Sequence, residues 1–307
     1  DGIASSDDLT IYSGTFNITS GDDGIKGKDS VSIIDGTFNI ESNGDAIKTT
    51  NEEEKGTITI LNGTFNITSK LDGITSSSNI IIENGTFNIT TGGGATQTTK
   101  TGDFGMQSTS SDDTDSMKGI KAITDIIIKG GIFKINTEDD SIHANGNITI
   151  NGGAFTLESS DDGIHADELV EINDGTFEIT SSEGIEATYV KINGGTITIS
   201  ASDDGINAAN KSNNYTPTIE INDGDITIKM GQGDTDAIDS NGNLYINGGT
   251  INITCNSPFD YDGEAKYSGG TMIVNGEETT TITNQMMGGG MQPSQGGQPG
   301  QGRMQRG

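Results

Sequence analysis

Asp-Asp-Gly-Ile stands at Asp22–Ile25, Asp161–Ile164 and Asp203–Ile206. Looser copies are Asp45-Ala46-Ile47, Asp72-Gly73-Ile74, Asp140-Ser141-Ile142, Glu183-Gly184-Ile185 and Asp236-Ala237-Ile238. Carboxylates in a turn are hard oxygen donors, and their chemistry depends on whether successive copies lie over one another. If they do, each faces another at the spacing of neighbouring strands, about 4.8 Å. There two unit charges repel by about 1 kcal/mol in water and about 3.5 kcal/mol at an effective dielectric of about 20. Lys26, Lys48 and Lys121 lie close by, but most copies have no lysine. A hard cation is the expected remedy. Calcium accepts about six to eight oxygens from carboxylates, carbonyls and water, and the turn offers the first two kinds. The turn glycine is expected to permit a backbone conformation that other residues resist. The competing reading is that Asp favours turns by bonding its own backbone.

The elements that would stack these turns are written between them. Gly-Thr-Phe-x-Ile, or a close variant, starts at Gly14, Gly36, Gly63, Gly85, Gly131, Gly153, Gly175, Gly195, Gly224, Gly249 and Gly270. A short fixed period means one small unit stacked many times. In residues 148 to 166, Ile148-Thr149-Ile150, Ala154-Phe155-Thr156-Leu157-Glu158 and Ile164-His165-Ala166 alternate apolar and polar, separated by Asn/Gly and Asp/Gly turns. That is the signature of three short strands per unit. The spacing therefore predicts an all-β, single-stranded parallel β-helix, right-handed, with about eleven coils of about 22 residues over positions 1–284. Ile148, Ile150, Phe155, Leu157, Ile164 and Ala166 should face the bore, and Thr149, Thr156 and His165 should face out. A phenylalanine column should run through Phe16, Phe38, Phe65, Phe87, Phe133, Phe155 and Phe177, passing to Ile197, Ile226, Ile251 and Met272. Insertions interrupt the period at Glu52-Glu53-Glu54, at 92–117 and at 209–217, the last carrying Tyr215 and Pro217. Positions 285–307 form a Gly/Met/Gln-rich tail that holds the only arginines, Arg303 and Arg306.

The residue after each turn isoleucine forms an outward column: Lys26, Lys48, Thr75, Lys121, His143, His165, Glu186, Asn207 and Asp239. His143 and His165 are the only histidines and should be spatial neighbours. They read either as a metal pair or proton relay, or as two exposed polar residues in a variable column. Asn-x-Thr triplets at Asn17, Asn66, Asn88, Asn147 and Asn252 belong mostly to the repeat and read as turn and ladder residues. Cys255, the only cysteine, reads as a small buried hydrophobe.

A formal net charge of −29 argues against a nucleic-acid partner and an anionic membrane surface. No apolar run is long enough to span a bilayer. The 30% hydrophobic content is low for a globular domain but suits the narrow bore of a solenoid. The chain opens on Asp1-Gly2-Ile3, a partial acidic turn, so residues upstream are expected.

Parallel β-helices often carry pectate lyases and polygalacturonases. The former need an Arg or Lys base beside the metal, and the solenoid has no Arg; the Gly-His-Gly and Arg-x-Lys motifs of the latter are missing. An active site is a single departure from a repeat, whereas here the acidic phrase is the repeat. The expectation is a protein that is not an enzyme.

Asn-Gly-Thr-Phe-Asn-Ile-Thr (Asn62–Thr68, Asn84–Thr90) alternating with Asp-Asp-Gly-Ile-His-Ala (Asp161–Ala166) resembles the secreted bacterial carbohydrate-binding β-helix family, whose characterised type binds calcium, polygalacturonate and cellulose. The resemblance covers roughly residues 1 to 284 and implies a non-catalytic, extracellular or cell-surface bacterial protein that depends on calcium. By position it implies calcium ligands at Asp22, Asp23, Asp45, Asp72, Asp139, Asp140, Asp161, Asp162, Glu183, Asp203, Asp204, Asp234 and Asp236. Calcium can bridge a protein carboxylate and a uronate, so an acidic polysaccharide is the expected partner. With no Trp and only six Tyr, cellulose ranks behind it. The alternative is a structural subunit of a calcium-stabilised filament, a homo-oligomer formed by end-to-end stacking of solenoids through open strand edges.

Overall fold

The computed structural model describes residues 1–51, 55–96, 116–231 and 235–284. Every regular element there is a strand. One coil consists of Ile142–Ala144, Asn147–Ile150 and Ala154–Ser159, called here the first, second and third strands. Each pairs in parallel with its counterparts one coil before and one coil after: Ile142 lies beside Ile120 and Ile164, and Phe155 beside Phe133 and Phe177. Eleven third strands, from Thr15–Ser20 to Thr271–Val274, make one continuous parallel sheet. Glu277–Thr279 then folds back antiparallel on the last of them. The fold is the expected parallel β-helix.

Alternation decides the inside. Phe38, Phe65, Phe87, Phe133, Phe155 and Phe177 are buried, and from Phe16 onward their rings stack at 4.6–5.0 Å with interplanar angles of 0–5°. The isoleucines after the acidic turns form a second buried column from Ile25 to Ile238, which ends on Phe259. Stacking like on like makes stability a matter of neighbour contacts along the rod.

Two devices set the acidic turns. From Ser20 to Ser181 the hydroxyl ending each third strand is buried and donates to a turn carbonyl: Ser20 to Asp23 O (2.7 Å), Thr137 to Asp139 O (2.6 Å), Ser181 to Glu183 O (2.6 Å). The turn glycine acts through space rather than dihedral angle, a correction to the sequence reading. Positive φ belongs to the glycine before each third strand, such as Gly153 (+122°). A Cβ on Gly163 of the acidic turn would instead meet Ile179 Cγ2 at 2.4 Å and Gly184 O at 2.6 Å. Ala46, Ser141 and Ala237 show that some coils accommodate a Cβ there. In two coils the first and second strands merge around the corner, as Asp162–Ile172 and Glu183–Ile192.

Candidate cation-binding and saccharide-binding site

The predicted ligands split into two sets. Asp22, Asp161 and Asp203 are exposed and Asp139 is half-buried, on the outer side of the turn. Asp23, Asp45, Asp72, Asp140 and Asp162, directly before the small turn residue, are 2–5% exposed. Asp23, Asp45, Asp72 and Asp140 form a ladder in which each accepts a backbone N–H from the next coil. Asp45 N donates to Asp23 Oδ1 (3.1 Å), Asp72 N to Asp45 Oδ1 (2.9 Å), Asp162 N to Asp140 Oδ1 (3.0 Å) and Asp236 N to Asp204 Oδ1 (3.1 Å). Registry of the column is thus real, and backbone amides supply part of the compensation that burial demands. Asp234 lies outside the described residues.

In the earlier coils the chain's own cations supply the rest, which corrects the expectation that its lysines are too few. The residue three positions after a buried acid returns over it. Lys26 Nζ stands 2.8 Å from Asp23, and Lys48 Nζ 2.6 Å from Asp45. His143 Nδ1 is 2.8 Å from Asp140; His165 Nδ1 is 2.7 Å from Asp162 and 3.0 Å from Glu186. Lys118 takes the acid's own place in the column. Its N–H donates to Asp72 Oδ1 (2.8 Å), and its Nζ reaches Asp139 (2.7 Å) and Asp140 (2.9 Å). Sequence reasoning missed Lys118, although Lys118-Gly119-Ile120 aligns with Asp-Gly-Ile.

The histidines are stacked at 4.8 Å as neighbours, but neither is exposed. Burial pulls His165 down; hydrogen bonds to Asp162, Asp167 and Glu186 outweigh it and hold the ring well above the usual imidazole range. Burial likewise opposes ionisation of Asp140 and Glu186. The hydrogen bond from His143 and the charge of Lys118 hold Asp140 low, and His165 and Lys211 hold Glu186 below its usual value. One imidazolium cannot serve every carboxylate around it, and burial together with the charge of Asp140 pushes Asp162 up.

Among the described residues the later coils have fewer such partners. In register, the outward column runs Glu186, Asn207, Asp239, Asp260. Lys211 Nζ reaches Glu186 at 2.9 Å, but among the described residues no ion pair reaches Glu183, Asp203, Asp204, Asp239 or Asp260. Burial, then the charge of Glu186, pushes Glu183 up to about 7. Burial, then Glu183 and Asp239, pushes Asp204 up to about 8. Burial, then Asp260, Asp236 and Asp262, pushes Asp239 up to about 6. Asn207, 8% exposed and paired in register with Asp239, donates Nδ2 to Glu183 Oε2 (2.9 Å). Asn207 Oδ1 is buried with no hydrogen-bond partner among the described residues, as are Thr235 Oγ1 and Ser257 Oγ of the following turns. Hard oxygens without donors, amid carboxylates that resist ionisation, fit calcium and offer a softer metal no sulfur or ring nitrogen.

A cleft of about 470 Å³ opens against the same turns, lined in part by Ser160, Ser182, Ser202, Glu158 and Lys229. The start of the 92–117 insertion is pinned to its rim, where Thr96 N donates to Ser160 Oγ (2.8 Å) and Ala95 N to Asn136 Oδ1 (2.6 Å). Hydroxyls repeating coil by coil suit a polyhydroxylated chain.

The family described as "Carbohydrate-binding domain-containing protein" matches residues 1–163 and again 160–288. The chain belongs to that family. Both matches run through the coils that carry the acidic turns, so the ladder and the cleft are features of a carbohydrate-binding solenoid. No protein of curated function and no solved structure matches the chain. No helix among the described residues is long and apolar enough to cross a membrane.

Proposed function

We propose that the chain is a non-catalytic, extracellular bacterial protein that binds an acidic polysaccharide of the polygalacturonate kind through calcium. Calcium would sit in the later coils, held by carboxylates of Glu183, Asp203, Asp204 and Asp239 and by Asn207 Oδ1. The observation that carries this reading is the buried acceptor of Asn207, which has no donor among the described residues and lies beside carboxylates that no ion pair reaches there. In the earlier coils Lys26, Lys48, Lys118, His143 and His165 already bring positive charge to the buried acids, which favours the later coils, although Asp1, Asp22 and Asp23, and Asp139, Asp140 and Asp161, also cluster closely enough to share an ion. A bound ion would supply positive charge for uronate carboxylates. Without it, a net charge of −29 repels them.

Calorimetric titration with calcium, thermal melting with and without chelator, and retention on a polygalacturonate gel test the proposal. A calcium-dependent rise in Tm together with calcium-dependent retention is expected. Unchanged melting and retention that ignores chelator would refute it. Filament assembly, the alternative function, has less to build on, because Glu277–Thr279 covers the edge of the third sheet at the last coil.

A further inference from the structure

Midway along the rod, the two stacked histidines bring ring nitrogen into the acidic column. Asp162 and His165 stand on the long strand Asp162–Ile172 and Glu186 on its neighbour Glu183–Ile192, with His165 and Glu186 in register. His165 Nδ1 lies 2.7 Å from Asp162 Oδ2 and 3.0 Å from Glu186 Oε2, and all three side chains are buried. The ligand atoms of this trio lie within 4.8 Å of one another, as do those of Asp140, His143 and His165. The far ring nitrogens are held too. His165 Nε2 is 3.4 Å from Asp167 Oδ1, and His143 Nε2 is 3.2 Å from Asn145 Oδ1.

We propose that Asp162, His165 and Glu186 form a site for one divalent transition metal of the zinc class. The site is separate from the oxygen ligands of the later coils and depends on no saccharide. Zinc takes imidazole nitrogen and carboxylate oxygen at about 2.0–2.2 Å, usually in a tetrahedron, so its ligand atoms stand about 3.3 Å apart. The present 2.7 and 3.0 Å are hydrogen-bond distances. Opening them by a few tenths of an ångström lets the ion replace the proton that Nδ1 shares with the carboxylates; the proton leaves to solvent, and water fills the fourth position. A carboxylate on the other ring nitrogen is the usual outer partner of a metal-bound histidine and fixes its tautomer, which is the place of Asp167. Calcium prefers oxygen alone, so the imidazole favours the softer ion. The trio with Asp140 is less available, because Lys118 Nζ and His143 Nδ1 already stand 2.9 and 2.8 Å from Asp140 Oδ2. Lys211 opposes the ion: its Nζ sits 2.9 Å from the same Glu186 Oε2. Carried on the 209–217 insertion and 36% exposed, its side chain can withdraw to solvent.

The test titrates the full chain with zinc by calorimetry in excess calcium, and with cobalt(II), whose visible absorption reports ring-nitrogen coordination. One equivalent of zinc should bind although calcium is present. His165→Gln should weaken zinc binding by at least about tenfold and remove the cobalt band. Lys211→Gln should tighten zinc binding by about tenfold, because a like charge is gone from Glu186. That gain is the opposite of what a damaged fold would give, so it stands even if His165→Gln fails to fold. Asp204→Asn should leave zinc binding unchanged. Three results overturn the site: a wild-type chain that takes up no zinc in calcium, a folded His165→Gln chain that binds zinc as the wild type does, or a Lys211→Gln chain that binds it no more tightly. A wild-type chain whose melting ignores calcium while it still takes up zinc would instead refute the calcium reading and leave this site standing.

Discussion

A buried carboxylate must be charged and compensated or neutral and protonated, and this column does both. Asp140 is compensated by His143 and Lys118; Asp204, with the Asp236 amide but no ion pair among the described residues, resists ionisation. Lys118→Met should therefore cost about 3 kcal/mol, the usual penalty for leaving a buried charge without its partner. Equilibrium denaturation would read this, and a change near zero would mean that backbone amides alone carry Asp140. Asp204→Asn should do the opposite in chelator at pH 8, stabilising the chain by about 1–3 kcal/mol while erasing most of the calcium-induced rise in Tm. The pH dependence follows from the same residues. Glu183 and Asp204 have folded values of about 7 and about 8 against ordinary values of 4.5 and 3.8. Their contribution is whole below about pH 4 and is lost as pH rises through about 7 and 8. His165, held above its ordinary 6.5, acts in the same sense. Asp140, held low, gives way only at the acid end. Metal-free protein should thus melt highest at about pH 4–6 and progressively lower toward pH 9, which a melting series in chelator would show. The sequence displayed the column because Gly-Ile or a near variant follows each acid. It hid Lys118 because a lysine there breaks the phrase, and it hid Lys211 because an insertion carries that residue back to Glu186.

At the scale of the strand, period two and the recurring Gly-Thr-Phe made the three-strand coil legible, because nothing but alternation is needed to fill a bore one side chain deep. What stayed hidden is how turns behave. Asp167 and Glu168 look like turn residues, yet the backbone runs on as strand from Asp162 to Ile172, with its irregularity confined to the step between Ala166 and Leu169. Cys255 is half-buried rather than sealed, directly after the third strand Thr250–Thr254, and burial still pushes its thiol up to about 11. The phenylalanine column gives the cleanest test of stacking. Phe133 is 1% exposed and held between Phe87 and Phe155, whereas Phe16 is half-buried with a ring on one side only. Phe133→Ala should lower stability by about 3–5 kcal/mol and Phe16→Ala by clearly less. Equal losses in chemical denaturation would mean that the column is not the source of cohesion.

Over the whole molecule, compensation is uneven along the rod. Among the described residues, lysines and histidines pair with Asp23, Asp45, Asp140 and Asp162, whereas no ion pair reaches Glu183, Asp203, Asp204, Asp239 or Asp260 and Lys211 serves the neighbouring Glu186. A solenoid couples each coil chiefly to its neighbours, so local repulsion should produce local opening rather than a uniformly weaker chain. Hydrogen exchange in chelator should then show the backbone amides of Gly205 and Asp236 exchanging faster than their counterparts at Gly24 and Asp45, although both sets are hydrogen-bonded in the same way. Calcium should slow the first set by at least about tenfold and leave the second nearly unchanged. The contrast does not depend on any sugar, so it separates the ion from the polysaccharide. Protection gained evenly from Asp23 to Asp239 would place calcium along the entire column, as the repeat alone suggests. Protection gained nowhere would leave protons, not a metal, as the counterions of the later coils.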